Sequence, residues 1–60
     1  MRGYKRGDKY QFETKRGITR YGIIVRSDKD SITILYNAEE RSRTRTFIKE
    51  EVYASKRRKI

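Results

Sequence analysis

The chain has no cysteine, histidine, proline or tryptophan, and only one methionine and four glycines in 60 residues. Without cysteine there is no disulfide framework. Without cysteine and histidine there is no zinc site of the usual ligand types, no thiolate nucleophile and no imidazole base. Catalysis would have to rest on Asp, Glu, Lys, Ser or Tyr in a cleft, and so short a chain has little room for one. We expect no enzyme, no metal and no cofactor. Acidic residues are also scarce, eight against 17 lysines and arginines, for a net charge of +9. That sign excludes a DNA mimic or an acidic inhibitor. The longest apolar runs, YGIIV and ITILY, are far too short to cross a bilayer. The start, MRGYKRGDK, is basic but has no apolar segment behind it, so it is not a secretory signal. The expectation is a soluble cytoplasmic protein with no membrane partner, nucleoid-associated if it binds DNA.

A chain of this length forms one small domain and buries about 60% of its unfolded surface. Hydrophobic residues are 33% of it, enough for a single thin core. The core alone, or self-association, must hold it together. A pI near 10.3 says little about fold, but it points to a polyanionic partner, of which nucleic acid is the commonest.

The pattern is one of strands. In KYQFETK, Tyr10 and Phe12 alternate with Lys9, Gln11, Glu13 and Lys15, the period of two of a half-buried strand. Lys15-Arg16-Gly17 turns into a second strand, TRYGIIVRS. Pure alternation there puts Tyr21, Ile23 and Val25 inward and Arg20, Gly22, Ile24 and Arg26 outward. Gly22 marks a bulge, a bend or a close backbone approach, and a bend would let Ile24 join the core. After the turn SDKDS, the third strand sets Ile32, Ile34 and Tyr36 against Ser31, Thr33 and Leu35. Asp28-Lys29-Asp30 is read as turn chemistry, not as a Mg²⁺ site. NAEE turns again into RSRTRTF, in which Arg41, Arg43 and Arg45 leave the sheet on one side. IKEEVYA is read as a helical turn at Lys49 to Glu51, then a short last strand near Val52 to Ala54, with Ile48 and Val52 closing the core. Residues 1–7 read as a basic arm or a lead-in loop, 8–54 as the domain, and 55–60 as a basic, mobile tail. The fold class expected is all-β: a five-stranded antiparallel barrel with one short helical turn before the last strand, since strongly bent strands in a short chain curl up and hide their edges.

Gly7-Asp8 before the first strand, Gly17-Ile18-Thr19-Arg20-Tyr21-Gly22, and Asp28 six positions on together resemble the first motif of Sm-like proteins, within the SH3-like barrels. Phe47-Ile48-Lys49 looks like the start of the second motif. The resemblance implies an SH3-like barrel. It does not extend to the family's base pocket or ring assembly, because Ile32 stands where that family has an asparagine and Lys49-Glu50 where it has arginine-glycine. The arrangement is also similar in logic, not in sequence, to the small archaeal chromatin proteins, which lay a three-stranded sheet on DNA.

If the second, third and fourth strands share a sheet, its outward residues are Arg20, Ile24, Arg26, Thr33, Leu35, Arg41, Arg43, Arg45 and Phe47, although a bulge near Thr46 would turn Phe47 inward. Arginines contact phosphate and release counterions, and apolar side chains pack on bases or sugars. The candidate nucleic-acid-binding residues are therefore Arg20, Arg26, Arg41, Arg43, Arg45 and Phe47, helped by Lys56, Arg57, Arg58 and Lys59 of the tail. Tyr10, Tyr21 and Tyr36 are assigned to the core. The function expected is largely sequence-independent nucleic-acid binding. The alternative is a protein-interaction module, an SH3-like adaptor or a regulator of a host protein encoded by a phage or mobile element.

Overall fold

In a computed structural model, residues 1–55 and 58–60 are described. Four antiparallel strands, β1 (Lys9–Glu13), β2 (Thr19–Ser27), β3 (Ser31–Ala38) and β4 (Arg41–Ile48), are followed by one helix, α1 (Lys49–Ala54). The sheet runs β4-β3-β2-β1, and Arg58–Lys59 adds a two-residue antiparallel rung beyond β1. No ladder joins β4 back to β1 among the described residues, so the sheet is open. The all-β class is as expected. The closing strand near Val52 to Ala54 is not there, because KEEVYA is the helix. Lys, Glu and Ala favour a helix, and the Glu51 carboxylate accepts from the Ile48 N–H at 3.3 Å, tying the first turn.

The core sits on one face of the sheet, called the inner face here. Tyr10, Phe12, Ile24, Ile32, Ile34, Phe47 and Val52 are all buried. Tyr10 and Phe12 stack toward Phe47 with ring centroids 5.8 and 5.4 Å away. The faces expected for β1 and β3 are as observed. That for β2 is reversed: Gly22 and Ile24 face the core, whereas Tyr21 is 62% and Ile23 48% exposed. The cause is steric. A Cβ on Gly22 would lie 2.4 Å from Ile34 Cγ2 and 2.7 Å from the Leu35 carbonyl oxygen. The glycine is there so that β2 and β3 can approach with Ile24 on Ile34. Tyr21 and Val25 are therefore surface residues, not core. Ile48 is also exposed, and Val52 reaches the core from α1 instead.

One extra residue interrupts the β2–β3 ladder. Ile24 pairs with Ile34, but Arg26 pairs with Thr33 and Ser27 with Ile32, so Val25 is a bulge. The bulge transfers Arg26 from the inner parity to the outer one.

The first seven residues do not project as an arm. Met1 and Tyr4 pack on the core. The Gly7 N–H donates to the Ile24 carbonyl at 2.7 Å, extending the β1–β2 ladder. Ser27 Oγ donates to the Tyr4 carbonyl, and the N-terminal amine donates to Ser27 Oγ and to the Asp28 carbonyl. Tyr4 stands edge-on to Tyr10 and near Tyr53 of α1. Burial, and secondarily the Tyr53 phenol beside it, push the Tyr4 hydroxyl above the ordinary tyrosine pKa.

Candidate nucleic-acid interface

The register of β4 on β3 settles where the arginines go. Phe47 lies opposite Ile32, Arg45 opposite Ile34, Arg43 opposite Tyr36 and Arg41 opposite Ala38. Directly opposed residues in an antiparallel pair share a face. Phe47 is fully buried, so its parity is that of the core. The three arginines therefore extend the inner face past the edge of the core, not the opposite face. On β2, Arg20 lies opposite Phe12 and shares the same side. Arg20 and Arg45 thus stand beside Phe12 and Arg43 beside Tyr36, with Arg41 one step further along β4 on the same face. Those two rings are themselves in edge contact, with centroids 5.0 Å apart.

Two arginines are held. The Arg45 guanidinium lies 4.8 Å from the Phe47 ring centroid and 6.0 Å from that of Phe12, a cation–π stack at the rim of the core. Arg43 Nη2 approaches Glu39 Oε2 at 3.6 Å across the β3–β4 turn. Exposed pairs of that kind are worth little, about 0.2–1 kcal/mol, and yield readily to a stronger anion. Arg20 and Arg41 have no ion pair among the described residues. Along a strand, alternate residues are about 6.8 Å apart, twice the ~3.4 Å axial charge spacing of one nucleic-acid strand. Arg41, Arg43 and Arg45 can therefore each meet a different phosphate.

Two of the expected site residues do not belong here. Phe47 is buried and supports Arg45 from beneath, so it offers no stacking surface. Arg26 is on the outer face because of the Val25 bulge, with its Nε 3.0 Å from Asp28 Oδ2. In the tail, Lys59 is drawn back onto the domain: its Nζ donates to the Gly3 carbonyl at 2.8 Å and lies 3.7 Å from Asp8 Oδ2. Lys56, Arg57 and the side chain of Arg58 lie outside the described residues. Tyr36 packs against the core, as its parity on β3 implies, and its half-buried ring also stands beside Arg43; Glu39, which tethers Arg43, has no signal in the sequence pattern. The position of Tyr36 opposite Arg43 follows from the β3–β4 register and not from alternation within either strand.

No cofactor or metal site presents itself among the described residues, where no three acidic side chains converge. Asp28 and Asp30 each face a cation, Arg26 and Lys49 respectively. Asp30 also accepts the Lys49 N–H on its carbonyl. No helix among the described residues is long and apolar enough to cross a membrane.

The outer face is different in kind. Tyr21, Ile23, Leu35, Thr33, Thr44 and Thr46 carry no charge there. Comparison with known proteins adds no label: no protein-family model, curated protein or solved structure matches this chain.

Proposed function

We propose that this protein is a small, non-enzymatic nucleic-acid-binding module that grips phosphates through Arg20, Arg41, Arg43 and Arg45 with little base specificity. The observation that supports it is the register: four guanidinium groups share one face, and only one has a carboxylate partner among the described residues. Such a face attracts a polyanion by charge and counterion release. Tyr36 beside Arg43 gives a base or sugar an apolar surface to rest on. The reading does not depend on the SH3-like resemblance, since an open sheet presents the face as well as a barrel would.

The test is a fluorescence titration with random duplex and single-stranded DNA and RNA at two salt concentrations. Binding that weakens steeply with salt is expected. Four neutralised phosphates give a log–log salt slope of about −3 to −4 on duplex DNA and about −3 on single strands. Absence of binding at low salt refutes the proposal. The Arg43–Glu39 contact favours one second reading, a face that docks on carboxylates of an acidic protein. That reading predicts no nucleic-acid binding in the same titration.

A further inference from the structure

The outer face of the sheet is used by nothing described so far, and its chemistry is unusual for a chain of net charge +9. Ile23 lies opposite Leu35, and Leu35 opposite Thr44, so one row crosses three strands. Tyr21 (62% exposed), Ile23 (48%) and Leu35 (40%) stand at its centre. Around them the polar groups are satisfied sideways: Thr33 and Thr46 share a hydrogen bond of 3.0 Å, and Ser42 Oγ donates to Asn37 Oδ1 at 3.0 Å. These two bonds already pair part of the face's polar atoms, which lowers the cost of covering it. The nearest charge is Lys9, next to Ile23 in the same row on β1; Glu13 lies further along β1 and Arg26 at the end of β2.

From this we infer that the outer face is the interface between two copies of this chain, packed sheet to sheet about a two-fold axis. Three observations single out a second copy. The first is charge. Two like-charged molecules approach most easily where few cations face each other: the centre of this face is uncharged, its cations Lys9 and Arg26 stand toward its edges, and the arginine faces of both copies point away. The second is extent. The longer axes of the molecule span 30 and 21 Å, a face that suits a contact at the small end of specific interfaces, below the roughly 800 Å² per partner of the standard size, and so a weak, concentration-dependent dimer. The third is need. Seven buried residues among those described, with no disulfide, make a slight core, and a second layer across the sheet supplies the apolar burial that chains of this size otherwise take from a staple. A shallow recess of about 380 Å³ lined by Lys9, Tyr21, Gly22, Ile23 and Ile60 gives the partner's side chains somewhere to seat. The inference stands whether or not the inner face binds nucleic acid.

The test is sedimentation equilibrium of the free protein from micromolar to submillimolar concentration, at moderate and high salt. The wild type is expected to pass from monomer to dimer mass, and high salt should leave the dimer intact because no ion pair holds it. Leu35→Lys should remain monomeric throughout, with an unchanged far-ultraviolet circular dichroism spectrum. If that variant does not fold, Thr44→Arg, further along the same row, carries the test. A wild type that stays monomeric at submillimolar concentration overturns the inference. So does a dimer that tolerates both substitutions, or one that salt dissolves.

Discussion

The sharpest test of the interface compares two arginines that the sequence places in one group and the structure separates. Arg41 is on the inner face without an ion pair among the described residues, and Arg26 is on the outer face beside Asp28. On duplex DNA each neutralised phosphate contributes about 0.9 to the log–log salt slope. Removing one contact therefore reduces affinity about eightfold at 0.1 M salt relative to a 1 M reference, or ~1.2 kcal/mol. Arg41→Ala should show that loss and flatten the slope by about one. Arg26→Ala should change affinity by less than about twofold, since its charge is across the sheet and screened over about 10 Å. Both variants should melt near the wild type, because each side chain is exposed and the Arg26–Asp28 pair is worth at most ~1 kcal/mol. Fluorescence anisotropy on one duplex across a salt series reads both quantities. Equal losses for Arg26→Ala and Arg41→Ala would show that binding ignores which face a charge is on. No loss for either would move the contact elsewhere on the molecule.

Three further outcomes follow from the fold. Gly22→Ala forces a methyl to within 2.7 Å of the Leu35 carbonyl, and overpacking costs about 1–3 kcal/mol. Urea unfolding should show a lower midpoint at unchanged slope, and a shift under ~0.5 kcal/mol would mean the strands are not so close. Glu39 and Glu40 both have positive φ, 54° and 63°, in the two-residue β3–β4 turn, a conformation that suits glycine or asparagine. Glu40→Gly should therefore gain roughly 0.5–1 kcal/mol, raising the melting temperature by about 2–8 °C. The raised Tyr4 pKa means that its contribution to stability is fully present below the ordinary tyrosine value and is lost as pH rises through the folded value. Tyr4→Phe should accordingly unfold less readily than the wild type in strong alkali, which a urea series at rising pH measures.

Much of the fold was legible. In β1 and β3 every apolar residue but Leu35 has the same parity, so alternation assigns the buried face directly. β2 has apolar residues on both parities, and a count favours Tyr21, Ile23 and Val25. The count loses to contact: only a residue without a Cβ fits opposite Tyr36, and its parity takes Ile24 inward. The arginine row of β4 was recognised as one-sided, yet which side it takes depends on Phe47, the single apolar residue sharing its parity. The Val25 bulge left no mark that sequence alone could locate, so Arg26 was grouped with residues it does not join. The helix stands where a last strand near Val52 to Ala54 was expected because Lys49 to Ala54 has local helical preference, and Val52 completes the core from there.

A face that carries both the core and the arginines is under tension, and the structure shows how the tension is distributed. Arginines set beside one another repel, and at the rim of an apolar core their charge is partly desolvated. Arg45, nearest the core, is set against the faces of Phe47 and Phe12, so its charge rests on ring quadrupoles. Arg43, one step outward, takes a carboxylate from Glu39 in a turn where glutamate is conformationally unfavourable. Arg41, furthest out, is exposed and has no ion pair among the described residues. The strained turn is thus best understood through the charge it supplies. A neutral residue at position 39 would relieve the backbone but leave Arg43 uncompensated between its two neighbours. On this reasoning Glu39→Asn gains less stability than Glu40→Gly at low salt, and the difference narrows as salt screens the row. It should also tighten phosphate binding, because the anion that competes for Arg43 is gone.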